Sequence, residues 1–423
     1  MLKVRFLGGA RKIGASAILL DTGKHRILLD YGSSPSKTPE FPIPVSPYDI
    51  DAVIISHAHI DHSGAVPLLY RGARGPTLIA TPPTLDLSHL LINDMIKING
   101  NKLPFSKREV QKMLEHALPV NYNEPVEIFD GIVVTLRNAG HVPGSASVEI
   151  QIDGKKIWYT GDINITNTRL LEAGEIVRDA DYVIIESTYS TKDHPSRKEE
   201  EKRFYKTVKE IVDDGGTVLI PAFAVGRSQE VMSILWHYGF DGKTALDGMA
   251  QTATSIFLTY PEYLRDYLEL KYSARFVKWM RSRSQRKKML KRPGAVISPA
   301  GMFSGGWSEW YLKQIYDRED AAILFVSFQV PGTLGRKILE ERKFRVKNKE
   351  REVKARVEYF ELSSHSGRSQ LYKIISQLEN AQKVMVVHGE EKNAESFAND
   401  IFERYGFDAV APHIGDTIIL EDN

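Results

Sequence analysis

Seven consecutive residues, Ser56-His57-Ala58-His59-Ile60-Asp61-His62, follow directly on the apolar run Ala52–Ile55. Three imidazoles and a carboxylate so close together are the ingredients of a metal site. His57 and His59, two apart in an extended segment, project to the same side. Asp61 and His62 follow as the chain turns and offer a second pair of ligands, so one short stretch can serve two adjacent cations. Two later segments also end strands with ligand residues: Asn138-Ala139-Gly140-His141 and Tyr159-Thr160-Gly161-Asp162. The chain has no cysteine, which excludes thiolate metal sites, cysteine nucleophiles and thiol redox switches. Nitrogen and oxygen ligands without sulfur suit Zn2+, and also Mn2+ or Fe2+. Two divalent ions roughly 3.5–4 Å apart can share a hydroxide and clamp a phosphoryl oxygen, which points to hydrolysis.

The elements that must position these residues fall into two styles. Up to about residue 189 the chain reads as short strands closed by Gly or polar turns, among them Val4–Leu7, Ser16–Leu20, Arg26–Asp30, Thr77–Ala80, Ile132–Arg137, Ser147–Ile152 and Lys156–Thr160. Helices are expected over Leu85–Ile98 and Ser106–Ala117, the second opening with a capping-box spacing from Ser106 to Glu109. From Tyr182 onward, Val183–Glu186, Thr217–Pro221, Ala295–Ser298 and Ile323–Ser327 are apolar runs, most followed by a loop and a helical stretch. That alternation predicts a parallel sheet with helices on its faces. The closing segment offers a strand at Val384–Val387, a helix over Asn393–Tyr405 and a strand at Thr417–Leu420. With 423 residues, two or three domains are expected.

Charge separates the same regions. The 56 Lys and Arg nearly balance the 54 Asp and Glu. Leu270–Pro293 nevertheless carries ten basic residues and no acid, and Arg342–Arg356 adds a net +6. A basic lobe on an acidic body favours a polyanionic partner. Within the first run Tyr272, Phe276 and Trp279 recur at helical spacing, a pattern that most simply lines a core-facing stripe beneath a solvated basic face. No apolar run approaches the ~18 residues needed to span a bilayer, so a cytoplasmic protein without membrane contact is expected.

The motif set His57-x-His59-x-Asp61-His62, His141, Asp162 resembles the signature of the metallo-β-lactamase superfamily of hydrolases. The resemblance implies that His57, His59 and His141 hold one metal and Asp61 and His62 a second, with Asp162 bridging. It also implies that Asp30 supports the site by hydrogen bonding. Three more segments, Ile184-Ile185-Glu186-Ser187-Thr188, Ser364-His365-Ser366-Gly367 and Val387-His388-Gly389, flank the basic region in the order seen in the β-CASP nuclease branch. By that resemblance His388 completes the second metal's ligands, and His365, bonded to Glu186, contacts the scissile phosphate as general acid. The family often has an acid two positions after that histidine, where this chain has Gly367.

The chain resembles archaeal homologues of the endonuclease subunit of the cleavage and polyadenylation specificity factor, with a short form lacking an N-terminal RNA-binding extension expected, and more distantly bacterial ribonuclease J. The implied fold is a four-layer αβ/βα sandwich (residues 1–189 and 361–423) with an inserted α/β β-CASP domain (residues 190–360), and RNA threading into the seam. The implied activity is a zinc-dependent ribonuclease with two Zn2+, cutting single-stranded RNA internally, trimming it 5′ to 3′, or both. A metal-bridging hydroxide would attack phosphorus, with Asp61 or Asp162 orienting it. Gly-bearing loops resembling β-CASP segments bring Arg227, Ser228, Ser304 and Arg336 forward as phosphate contacts, and the basic run adds Lys278 and Arg281. A homodimer and a place in an RNA-processing or decay complex follow from the resemblance alone. Rival readings are a DNA nuclease or small-ester hydrolase on the same core, and a catalytically silent RNA-binding scaffold subunit.

Overall fold

The computed structural model describes residues 2–34, 39–72, 74–346 and 349–420. Two compact units emerge: residues 1–167, 173–193 and 364–423 form one, and residues 168–172 and 194–363 form the other. Residues 168–172 thus group with the inserted unit, although the sequence reading kept them in the first.

The first unit contains two seven-stranded sheets. One is ordered Thr417–Leu420, Leu2–Gly8, Ala17–Asp21, Arg26–Tyr31, Ala52–Ile54, Thr77–Ala80, Ala117–Pro119. The other is ordered Ala409–Val410, Lys383–Val387, Tyr182–Glu186, Lys155–Tyr159, Ala146–Ile152, Ile132–Asn138, Val126–Phe129. Strand residues alternate between two destinations, as a period of two requires. Val4, Phe6, Ile27, Leu29 and Ile54 from the first sheet meet Val134, Ile150, Ile157, Ile184 and Met385 from the second in one core. Their neighbours Leu28, Val53 and Leu78 pack outward with Ile92 and Met95 of the helix Pro82–Asn99 and Val110 and Met113 of the helix Lys107–Glu115. On the other side Trp158, Val183 and Val384 pack with Leu371 and Ile375 of the helix Arg368–Ser376 and with Phe397 and Ile401 of Glu391–Tyr405. The layers therefore run helix, sheet, sheet, helix. Both reciprocal bonds of the Ser106–Glu109 capping box are present.

The second unit has a six-stranded, all-parallel sheet ordered Lys278–Trp279, Thr244–Leu246, Gly294–Ser298, Thr217–Pro221, Ala321–Phe325, Arg356–Tyr359. Its three central strands are buried along their whole length, the continuous burial expected between two helical layers. Two features depart from the sequence reading. The helix carrying Tyr272 and Phe276 stops at Phe276, so Trp279 lies on an edge strand and donates its indole N–H to the Ala274 carbonyl at 2.9 Å. The second basic run folds into a hairpin, Lys343–Val346 with Lys349–Glu352, where Glu350 lies 3.1 Å from Lys337 and 3.8 Å from Lys343.

Arg286 of the first basic run is itself buried. It donates to both oxygens of the fully buried Asp247 at 2.6 Å, lies over the Trp307 ring at 3.6 Å, and shares Asp247 with the Tyr311 hydroxyl at 2.8 Å. Removing one partner of a buried pair leaves the other charge without compensation. Arg286→Met is therefore expected to destabilise this unit by ~3–5 kcal/mol. A denaturant midpoint indistinguishable from the parent's would show that the pair adds nothing.

Candidate metal centre

Every predicted ligand sits just past the carboxyl end of a strand of the first unit. His57 to His62 follow Ala52–Ile54, His141 follows Ile132–Asn138, Asp162 follows Lys155–Tyr159, and His388 follows Lys383–Val387. Glycines allow the crowding. A Cβ on Gly32 would lie 1.8 Å from the Asp61 carbonyl oxygen, and Gly161, at φ +52°, would place one 2.8 Å from the Ser56 Cβ. Only a residue without a side chain lets these loops close over one another.

The side chains form two groups that share Asp162. In the first, His57 Nε2 and His141 Nε2 each lie 3.1 Å from His59 Nδ1, and 3.5 and 3.7 Å from Asp162 Oδ2. In the second, His62 Nε2 lies 3.9 Å from Asp61 Oδ2 and 3.3 Å from Asp162 Oδ1. His388 offers Nε2 to Asp61 Oδ2 at 3.5 Å and Nδ1 to Asp162 Oδ1 at 3.3 Å. One carboxylate oxygen faces each group. The carboxylate of Glu186 also comes within ligand distance of Asp162 and His388, a position the sequence reading did not foresee.

The far sides of the imidazoles are already committed. Asp30, wholly buried, accepts four bonds at 2.7 Å: from the Ser56 N–H and hydroxyl, the Tyr159 hydroxyl and His62 Nδ1. His57 Nδ1 faces the Ser56 hydroxyl at 3.1 Å, and His141 Nδ1 donates to the Ser364 carbonyl at 2.8 Å. With those protons placed outward, the inward nitrogens of His57 and His141 carry lone pairs. One proton on His59 Nδ1 could bridge only one of its two 3.1 Å contacts. Three buried atoms of the second group, His62 Nε2, Asp162 Oδ1 and His388 Nε2, have no hydrogen-bond partner. Converging lone pairs and stranded buried polar atoms are tolerable only if cations take them up. The donor set therefore fits two divalent metal ions.

Electrostatics agree with that division. Burial, reinforced by the neighbouring His62, holds His57 well below the ordinary imidazole range, and burial with His365 nearby does the same to His141. Burial would also lower His62, yet the carboxylates of Asp162, Asp30 and Asp61 overcome it and hold the ring well above that range. Both Asp30 and His388 have left-handed backbones, at φ 58° and 50°, conformations that non-glycine residues adopt at a cost and that cluster at functional sites.

His365 stands beside the first group. Its Nδ1 lies 3.0 Å from both oxygens of the buried Glu186, which also accepts the Ile163 N–H at 2.7 Å. Its Nε2 lies 3.8 Å from Asp162 Oδ2, and the ring packs 4.5 Å from that of His141. Burial alone would lower this histidine; Glu186 and then Asp162 push it up to about 9. Glu186 thus orients the ring and favours its protonated form. Gly367 caps the helix Arg368–Ser376 with its backbone N–H bonded to Gln370 at 2.8 Å, so this position serves the turn.

Of the residues proposed for phosphate contact, Ser304, Lys278 and Arg281 are exposed. Arg227 opens the helix Arg227–His237 and is half-buried. Arg336 is already paired with Glu340, its Nε at 2.7 Å. Ser228 is a correction: its hydroxyl is buried and donates to the Phe223 carbonyl at 2.7 Å, so it holds the loop and does not face a ligand. Tyr159 and the Ser364 carbonyl were not foreseen, although Tyr159 directly precedes the Thr160-Gly161-Asp162 turn.

Comparisons with known proteins agree. Residues 17–190 match the metallo-β-lactamase superfamily domain, residues 228–338 the Beta-Casp domain, and residues 350–412 the Zn-dependent metallo-hydrolase RNA specificity domain. The chain belongs to the β-CASP ribonuclease family of the metallo-β-lactamase superfamily. Among its relatives are RNase aCSPSF2 of Saccharolobus solfataricus, 37% identical over 99% of this chain and 85% of the relative, and the probable RNase MJ4 of Methanocaldococcus jannaschii, 36% identical over 99% and 100%. The transcription termination factor FttA of M. jannaschii is 37% identical over 95% of this chain and 69% of its own length. A crystal structure of a protein of unknown function from Enterococcus faecalis shares the fold, at a TM-score of 0.62 and 14% identity over 99% of this chain and 100% of that one.

The hydrogen bonds around Asp30 can be tested by substitution. Asp30→Asn keeps the shape but loses the charge and one acceptor that fix His62, and partners of metal ligands typically contribute 10–100-fold. A fall of roughly 10–100-fold in metal affinity or activity is expected; unchanged affinity in a competition titration with a chromophoric chelator would contradict the orienting role.

Proposed function

We propose that this chain is a zinc-dependent ribonuclease that hydrolyses phosphodiester bonds of single-stranded RNA. The observation that carries the reading is the meeting of two sets of ligand atoms on opposite oxygens of Asp162. His57, His59 and His141 would hold one ion, and Asp61, His62 and His388 the other. Bound divalent ions supply Lewis acidity to a phosphoryl oxygen and lower the pKa of water. Asp61, the least buried of the carboxylate ligands, orients the attacking water and accepts its hydrogen bond. His365 gives its proton to the departing 3′-oxygen, so that the P–O3′ bond breaks to leave a 5′-phosphate and a 3′-hydroxyl. Glu186 keeps that imidazole charged and aimed. Ser304, Lys278, Arg281, Arg227 and Arg336 are proposed to take up phosphates along the strand.

The match of residues 350–412, which include His365 and His388, to an RNA specificity domain described as zinc-dependent supports both substrate and metal. No described helix is long and apolar enough to cross a membrane, which suits work in the cytoplasm, and a homodimer within an RNA-processing or decay assembly is part of the same proposal. The test combines metal analysis of the purified chain with RNAs bearing 5′-monophosphate, 5′-triphosphate or 5′-hydroxyl ends, beside single-stranded DNA and a thioester. Metal-dependent cuts in RNA support the proposal, and product lengths separate internal cleavage from trimming. A chain that holds metal and leaves every RNA intact, or that binds RNA without ever holding metal, refutes it.

A further inference from the structure

The basic run carries an aromatic surface that none of the roles above uses. Trp236, at the end of the helix Arg227–His237, is 40% exposed, and Tyr272, on the helix Tyr267–Phe276, is 45% exposed. Their rings stack, with centroids 6.3 Å apart and planes 27° from parallel, and Phe276 closes on Trp236 at 5.8 Å. Leu268, one turn before Tyr272, is 54% exposed. This corrects in part the expectation of a core-facing stripe: Tyr272 turns to solvent, while Phe276 and Trp279 are half-buried. Large rings left open on a single chain mark a binding surface more often than scattered apolar residues do.

Charge identifies the occupant. Lys271 and Arg275 flank the rings in sequence, and Arg275 is exposed. Between residues 270 and 293 eight of the ten Lys and Arg are exposed, and none of those eight pairs with a carboxylate among the described residues. The nearest acid on the helix, Glu269, turns away to His237 at 3.4 Å with its side chain only 14% exposed. A protein interface would deplete such charges at its centre. Stacked aromatics with unpaired cations alongside are what bases and phosphates of a single strand require.

We propose that Trp236 and Tyr272, backed by Phe276 and flanked by Lys271 and Arg275, form a stacking platform for single-stranded RNA, carried by residues none of which belongs to the metal centre. This rests on the RNA reading above and adds a site to it. The platform takes bases without sequence preference and holds phosphates by charge, so its contribution grows with strand length and falls with salt.

The test uses the full chain carrying Asp162→Ala, so that RNA is bound without being cut, and a labelled oligouridylate of roughly 30 nucleotides, long enough to exceed a single site. Adding Trp236→Ala with Tyr272→Ala is expected to weaken binding at least ~10-fold, while Trp236→Phe keeps most of the affinity. Arg275→Gln should lower the slope of log affinity against log salt by about 1. If the double variant fails to fold, photocrosslinking of bromouridine RNA to the unsubstituted rings replaces it. Adducts in 227–237 and 267–276 then support the platform, and adducts confined elsewhere overturn it. Affinity within twofold of the parent overturns the platform and leaves the ribonuclease reading standing. A parent chain that neither binds nor cuts RNA overturns both. A changed sedimentation mass with unchanged RNA affinity assigns the face to a protein contact and also overturns the platform.

Discussion

Asp162→Asn is expected to lower RNA cleavage by roughly 10^3-fold or more, because both proposed ion sites draw on its carboxylate. Asp162 faces both groups. Its Oδ2 lies 3.5 Å from His57 and 3.7 Å from His141, and its Oδ1 lies 3.3 Å from both His62 and His388. Asparagine keeps the volume but offers one oxygen and no charge, so both proposed ion sites would be weakened together. Metal bound per chain, measured by mass spectrometry, should fall along with the rate, while the far-ultraviolet spectrum stays that of the parent. A variant that retained full metal content and full activity would show that the two groups do not share this carboxylate.

The second large effect belongs to His365. His365→Asn removes the imidazolium held 3.0 Å from Glu186 while leaving every proposed metal ligand in place. Loss of a positioned general acid typically costs 10^2–10^4-fold, and that range, about 10^2–10^4, is expected for RNA. The diagnostic is the leaving group. On a p-nitrophenyl phosphodiester, whose departing oxygen needs no proton, the deficit should shrink to a small fraction of that seen with RNA. An equal deficit on both substrates would assign His365 to phosphate binding alone. Glu186→Gln should fall between parent and His365→Asn, because the ring keeps a hydrogen-bond acceptor but loses the charge that favours its protonated form.

The legibility of this chain in its sequence was uneven, for physical reasons. The cluster His57 to His62 could be read because ligands on one extended segment are placed by the backbone repeat, before any tertiary contact forms. The paired sheets were readable for a similar reason: Val4, Phe6, Leu28 and Leu29 already alternate by destination. Asp30's set of four donors was beyond such reading, since Ser56, His62 and Tyr159 meet it only when strands far apart in sequence pair. The Ser364 carbonyl that orients His141 carries no side-chain signature at all. Ser228 looked like a phosphate contact because it stands beside Arg227 at a helix start; here its hydroxyl bonds the Phe223 carbonyl instead. The basic runs misled in opposite ways. The second is a hairpin whose cations partly find carboxylates, whereas the first hides one arginine in the core and leaves an aromatic face open.

Strand Leu2–Gly8 pairs with Thr417–Leu420, and His388 reaches the cluster from the end of Lys383–Val387, which pairs with Tyr182–Glu186. Contacts so distant in sequence bear the entropy of loop closure before they are rewarded, so the first unit is expected to fold slowly compared with a protein of local contacts.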